Sequence, residues 1–319
     1  MSNIENIDIF FAAINDEKDL KDKEVVDFLL KLENSKNISE ASQEDLESYL
    51  KAIKRGNSKN GKIAAKILRV LEEKDAKFYK EYLGDLEDQD IEFIHIFSEK
   101  YPKSLYEIER PPFGIYVNGE FNPEAPKVAV VGTRDATSQR LKDMPDIVAK
   151  LVDMGFEVVS GLANGVDERA HQSTIDQEGV TYAVLPGDVN NIYPESNYRI
   201  ARKMREKGAV LSEVSEKIDI HRGRFVDRNR ITSGLCQAVI VGASKDSGGT
   251  VHQSRFTKNQ GRKLLLYDPD YDDGQSPEKI KDMGAETFSD PSELDKLLDS
   301  EVDYDEPDVK DYNLDFFIN

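Results

Sequence analysis

A chain of 319 residues in which 62 Asp and Glu face 43 Lys and Arg carries a formal net charge of -19, so any site for an anionic partner must be a local exception to the surface as a whole. Hydrophobic residues make up 38% of the chain, enough for a proper core in one large domain with a smaller one beside it. The longest apolar runs fall well short of the roughly 20 residues that cross a bilayer, Met1 to Asp8 has no signal-peptide pattern, and the single Cys236 can form no internal disulfide, which together suggest a cytoplasmic protein with no membrane partner.

Residues 1–90 read as a small all-α N-terminal domain. Val25, Val26, Phe28, Leu29, Leu30 and Leu32 make one apolar stripe and Ile63, Ile67, Leu68 and Leu71 another. Residues 91–127 hold Tyr101-Pro102, Pro111-Pro112 and the β-rich Gly114-Ile115-Tyr116-Val117, the texture of a lead-in segment that covers the next domain and adds an edge strand. From Val128 to Leu266 short unbroken apolar runs alternate with helical patterns. The runs are Val128 to Val131, Glu157 to Val159, Thr181 to Leu185, Ala209 to Leu211, Ala238 to Val241 and Lys263 to Leu266, and the helical patterns include Asp143 to Met154 and Val166 to Asp176. Unbroken runs of this length suit strands buried on both faces, so the expected fold class is α/β, an extended Rossmann-like, doubly wound, mostly parallel sheet spanning 91–290. Met283 to Phe288 is read as an edge strand, and residues 291–319 as an acidic C-terminal tail.

Each of the first five expected strands is followed by a polar or glycine-containing loop: Gly132-Thr133-Arg134, then Ser160-Gly161 with Asn164, Gly165 and Asp167, then Pro186-Gly187-Asp188, then Ser212-Glu213, then Gly242 with Ser247-Gly248-Gly249-Thr250. Glycines let backbone N–H groups approach a phosphate, and the following helix N-termini favour negative charge, so five such loops on one sheet edge predict a broad anion-binding rim. No stretch matches the dinucleotide fingerprint or the P-loop, so neither a dinucleotide dehydrogenase nor a P-loop NTPase is supported. The basic exception appears between Arg202 and Lys263, where 14 Lys or Arg stand against 6 Asp or Glu. Its centre is Phe225 with Arg228-Asn229-Arg230, an aromatic face beside guanidinium forks. Asp188 and Glu213 are read as carboxylates that fix arginines, and Asp167 as the cap of a helix that carries His171. Lys203, Arg205 and Lys207 suit either solvation or the tracking of a nucleic-acid backbone. The histidines are scattered and there is no zinc spacing, so no metal and no cofactor is expected.

Val128 to Arg134, Val159 to Asp167 with Ala170-His171, Tyr193-Pro194, Leu211-Ser212-Glu213 and Phe225 to Ile231 resemble, in order and spacing, the successive motifs of the DprA/Smf DNA-processing family. The resemblance covers roughly residues 91 to 290. It implies a non-catalytic protein that binds single-stranded DNA, forms a homodimer and delivers the strand to a RecA-type recombinase. Carried over residue by residue, the expected DNA- and phosphate-binding set is Gly132, Thr133, Arg134, Ser160, Gly161, Asn164 and Gly165 from the first loops, Phe225, Arg228, Asn229 and Arg230 from the basic segment, and Ser247, Gly248, Gly249 and Thr250 from the last. Replacing Arg228 and Arg230 by Ala is expected to abolish binding and leave the fold intact. Where the family has Tyr-Gly after the position of Ser138, this chain has Gln139-Arg140. Two other readings stay open. One is a sensor or binder of a nucleotide-derived ligand, or an interaction module whose acidic tail contacts a partner. The other is a phosphoribohydrolase of the LOG type, against which stands Val251-His252-Gln253 after Thr250, where that family carries a catalytic Glu.

Overall fold

The helical stripes of the N-terminal region fold into α1 (Asn6–Asn15), α2 (Lys23–Lys36), α3 (Gln43–Lys54), α4 (Lys59–Glu73) and α5 (Ala76–Glu87), followed by β1 (Ile91–His95) and β2 (Gly114–Gly119). The computed structural model describes residues 6–298 except 21–22, 39 and 56–57. Side-chain oxygens start three of these helices: Ser42 accepts from Asp45 N, Ser58 from Gly61 N, and Asp75 from Lys77 N and Phe78 N. The chain divides into two compact units at Tyr116, so β1 and the start of β2 stay with the helices instead of leading into the second unit, and Glu213–Ser215 join them. The side chain of Asn15 explains part of this grouping. It donates to Gly114 O at 3.0 Å and accepts from Phe113 N at 2.9 Å, while Asp16 accepts from Ser215 N at 3.1 Å and from Tyr79 Oη at 2.9 Å.

The second unit alternates strand and helix: β3 (Lys127–Gly132), α6 (Ser138–Asp153), β4 (Glu157–Ser160), α7 (Val166–Asp176), β5 (Thr181–Val184), α8 (Tyr198–Met204), β6 (Ala209–Ser212), α9 (Arg222–Gly234), β7 (Ala238–Ala243), α10 (Gly249–Asn259), β8 (Lys263–Tyr267), α11 (Glu278–Lys281), β9 (Glu286–Phe288) and α12 (Leu294–Leu297). Each apolar run is a strand, and the order within this unit is β6-β5-β4-β3-β7-β8-β9, every neighbouring pair parallel. From β3 the chain steps outward through β4, β5 and β6, then crosses to β7 on the other side of β3. Right-handed crossovers that run in opposite directions put their helices on opposite faces; α6 packs on α7, and α9 on α10. On the α6–α7 face Val128, Val130, Val158, Ile240 and Leu265 meet Met144, Ile147 and Val148 in one core.

Two expectations are corrected here. The first crossover helix begins at Ser138, five residues before Asp143, because Thr137 caps it and Pro145 is accommodated inside it. Pro145 has no N–H for the carbonyl of Leu141, and Arg169 Nε of α7 donates to that oxygen at 3.2 Å instead. The start of the expected tail is part of the core, since Leu294 and Leu298 pack against the α6 side; the remainder, from residue 299, lies outside the described residues. No helix among the described residues is long and apolar enough to cross a membrane.

Candidate functional site

In an open parallel sheet the strand order reverses where the first crossovers diverge, and a crevice opens there at the carboxyl ends of the strands. In this unit that point lies between β3 and β7, where a cavity of about 380 Å³ is found. Its walls come from the loops after β3, β4 and β7 and from the first turns of α9. The loops Pro186-Gly187-Asp188 and Ser212-Glu213 do not line it, because β5 and β6 stand on the far side of β4 from the reversal. Asp188 accepts from Asn190 N at 2.8 Å and borders a separate acidic hollow with Glu216 and Asp219. Glu213 belongs to the N-terminal unit.

Two of the expected site glycines act by bringing loops together. A Cβ on Gly132 would stand 2.5 Å from Val166 Cγ2 and 2.8 Å from Ala243 O, so only glycine lets the end of β3 close on both α7 and β7. Gly165 has φ +85° and is the N-cap of α7, and a Cβ there would meet Thr133 O at 2.5 Å. It supports the cavity from behind without lining it. Ser160 is also behind the wall: fully buried, its Oγ donates to Val130 O at 2.6 Å and ties β4 to β3.

The loops after β3 and β4 share one buried carboxylate. Asp167 stands two residues after the N-cap and accepts from Gly132 N at 3.2 Å, with Gly161 and Ala163 N–H groups also directed at it. Its role is therefore to hold loops, and the capping position falls to Gly165. Burial raises the Asp167 carboxyl above its ordinary value, opposed by the Arg228 guanidinium and these amides. Arg228 is only 8% exposed. Its Nη1 donates to Val184 O, its Nε makes no hydrogen bond among the described residues, and burial lowers its pKa, opposed by Asp167, with a further lowering from Arg134. A cation held in this state gains when an anion enters the cavity. His171, one turn beyond Asp167, takes no part in the wall. It is buried with Nδ1 2.7 Å from Thr181 Oγ1, and burial pulls its pKa down to about 3, helped by Arg228.

At the mouth, the guanidinium of Arg134 lies over the ring of Phe225 at 5.7 Å, and Tyr193 meets the same ring edge-on at 5.7 Å. Tyr193, Asn164 and Phe225 border a small annex of about 50 Å³ next to the main cavity. Across from them, Asn229 Nδ2 donates to Gly249 O at 3.4 Å. Ser247, Gly248, Gly249 and Thr250 form the rim at the start of α10. The N-cap there is Gly248, φ +111°, with no side chain to cover the first-turn N–H groups, so the positive end of the helix faces the cavity. Lys245 stands beside this rim, paired with Asp135 at 2.8 Å.

Of the expected set, Gly132, Thr133, Arg134, Gly161, Phe225, Arg228, Asn229 and residues 247–250 are thus brought together, and Asn164 borders the annex. Arg230 is not. It is 2% exposed and its Nη1 donates to Asp227 O at 3.3 Å, because two residues along a helix turn a side chain away from the face that carries Arg228. Against the expectation of an intact fold, replacing both arginines is expected to destabilise it, because Arg228 is the buried donor to Val184 O and losing that bond costs about 1–3 kcal/mol. Sequence reasoning missed Thr232 and Gln253, which line the cavity. Helical spacing was the available signal, since Thr232 follows Phe225 by seven and Gln253 follows Thr250 by three. Lys245 and Tyr193 carried no periodic signal. Where Gln139-Arg140 departs from the family pattern, Arg140 is fully buried. It forks onto Asp273 at 2.9 and 3.0 Å and donates to Tyr267 O at 2.7 Å, and Gln275 from the same loop accepts from Thr137 N at 3.0 Å.

The profile of the DNA recombination-mediator protein A family matches residues 92–299. The DNA processing protein DprA of Bacillus subtilis (strain 168) is 31% identical over 233 residues, 70% of this chain and 77% of that protein. Protein Smf of Borreliella burgdorferi is 31% identical over 204 residues, 63% of this chain and 64% of that one, so the match spans just under two thirds of the Borreliella protein. Among solved structures, DNA processing protein A of Streptococcus pneumoniae superposes with a TM-score of 0.70 at 23% identity, covering 93% of this chain and 99% of that one. DNA processing protein A of Helicobacter pylori, whose structure addresses a single-stranded DNA binding mode, superposes with a TM-score of 0.58 at 23% identity over 64% and 93% of the two chains.

Proposed function

The chain belongs to the DNA recombination-mediator protein A family, and on that premise we propose that it binds single-stranded DNA in the cleft between β3 and β7 and, as a homodimer, hands the strand to a RecA-type recombinase. The observation that carries this reading is the convergence of Arg134, Arg228 and the uncapped start of α10 on one cavity whose mouth holds the Phe225 ring. Guanidinium forks and backbone amides hold phosphates, and a ring face stacks a base whatever its identity. Such a surface prefers unpaired strands and reads little sequence. The relatives' description as DNA-processing proteins and the single-strand binding of the Helicobacter pylori protein support the same assignment. We read the role as binding, with no hydrolytic step, since Val251-His252-Gln253 offers no carboxylate after Thr250.

The test is the affinity of labelled single-stranded and duplex oligonucleotides at two salt concentrations. Single strands are expected to bind in preference to duplex, with log K falling against log salt by about 0.7 per phosphate contact. Phe225→Ala is expected to cost about 1–3 kcal/mol in strand affinity. Equal affinity for both forms, or indifference to salt, removes the reading. The cavity's 380 Å³ is also the size of a small-molecule site, which favours a nucleotide-derived ligand as the second reading; mononucleotide binding with little salt dependence would establish that one instead.

A further inference from the structure

We infer that the exposed face of α8 is a second nucleic-acid contact surface, along which a strand seated in the cleft continues past Tyr193. This deepens the proposed function and rests on it. Tyr193, 46% exposed, and Tyr198, 54% exposed, are the two large hydrophobic side chains left at the surface among the described residues. They lie on the segment that joins the cleft to α8, and the five residue steps from one to the other span at most about 18 Å. The cleft end of this segment is fixed. The Tyr193 ring meets Phe225, Ser196 Oγ donates to Asn164 Oδ1 at 3.2 Å, and Asn197 Nδ2 donates to Leu162 O at 2.9 Å.

The sequence sets the rotation of α8. Ile200, Ala201 and Met204 are buried in a core with Leu162 and Leu185, so Tyr198, Arg199, Arg202 and Lys203 are left exposed at the i, i+1, i+4, i+5 spacing of one helix face. The side chains of Arg199, Arg202 and Lys203 take part in no hydrogen bond or ion pair with another described residue. Of the three α8-region cations that the sequence singled out, only Lys203 belongs to this face. Arg205 donates to Val189 O at 3.4 Å, and Lys207 pairs with Glu178 at 3.9 Å. Three cations with no counter-ion among the described residues, beside an exposed ring, are a departure in a chain of net charge -19. A single strand matches all of it, with phosphates for the cations and bases for the two tyrosine faces. An acidic protein surface would satisfy the cations and leave the ring faces unused.

Oligothymidylates of about 4 and about 16 nucleotides, the two ends of the range of single-strand site sizes, distinguish the cleft from its extension. Fluorescence anisotropy of the full chain at two salt concentrations is compared with that of the Arg199→Ala/Arg202→Ala/Lys203→Ala variant. The wild type is expected to bind the long oligomer about tenfold more tightly than the short one. The variant is expected to lose that advantage while keeping wild-type affinity for the short oligomer, and its salt slope for the long one to fall by about 2, three contacts at about 0.7 each. Unchanged long-oligomer affinity and slope in the variant overturn the α8 surface and leave the cleft reading standing. An equal loss for both lengths also overturns it, because the effect is then not confined to the flank. If the wild type binds neither oligomer, the cleft reading fails and takes this inference with it.

Discussion

Gly161 is required by the guanidinium of Arg228 and not by its own backbone angle: a Cβ there would stand 2.1 Å from Arg228 Nη1. That nitrogen is already held by Val184 O in a buried position, so it cannot swing aside without losing a hydrogen bond. Gly161→Ala is accordingly expected to weaken strand binding about tenfold, roughly 1.4 kcal/mol, and to lower the unfolding free energy by about 1–3 kcal/mol for the displaced bond. Anisotropy and urea denaturation of the purified variant give the two quantities, and wild-type values in both would show that Arg228 moves freely. Arg228 was legible in the sequence as a site residue because it stands near Phe225 in a basic stretch. Its burial was not, since Val184, Gly161 and Asp167 reach it from three other elements. Arg230 misleads for a simpler reason: in the linear motif it stands beside Arg228, but two residues along a helix carry its side chain to another side.

Among the elements, the strands of the second unit were legible because burial on both faces leaves an unbroken apolar run with nothing else in it to misread. Helix starts were harder. The start of α6, Ser138-Gln139-Arg140-Leu141-Lys142, holds a single apolar residue and so shows no stripe, and the residue that compensates for Pro145, Arg169, lies on another helix. Arg169→Met keeps the aliphatic stem but leaves the Leu141 carbonyl without its donor, and is expected to destabilise the fold by about 1 kcal/mol. A thermal melt indistinguishable from wild type would mean that solvent replaces the bond at no cost. The Arg140–Asp273 fork illustrates the same limit at the first loop. A departure from the family pattern gave no hint that the new arginine would bind a loop 133 residues away.

On the scale of the whole molecule, a net charge of -19 disfavours approach of any polyanion. The cations that matter are therefore gathered where the sheet topology already opens a crevice, and composition alone pointed to this by marking one basic stretch in an acidic chain. The boundary between the two units was not legible in the same way, because Glu213–Ser215 leave the second unit for the first through contacts to Asp16 that no local pattern encodes. Asp167 has a further consequence, expressed in time and not in affinity. The amide protons of Gly132, at the end of β3, and of Gly161 and Ala163, in the loop after β4, are directed at one carboxylate, so the two loops should open to solvent as one cooperative unit. Native-state hydrogen exchange should give these three amides similar protection, and Asp167→Asn should speed their exchange together; independent rates would mean that each loop opens alone. A strand that orders either loop would then slow exchange in the other, including at amides it never touches.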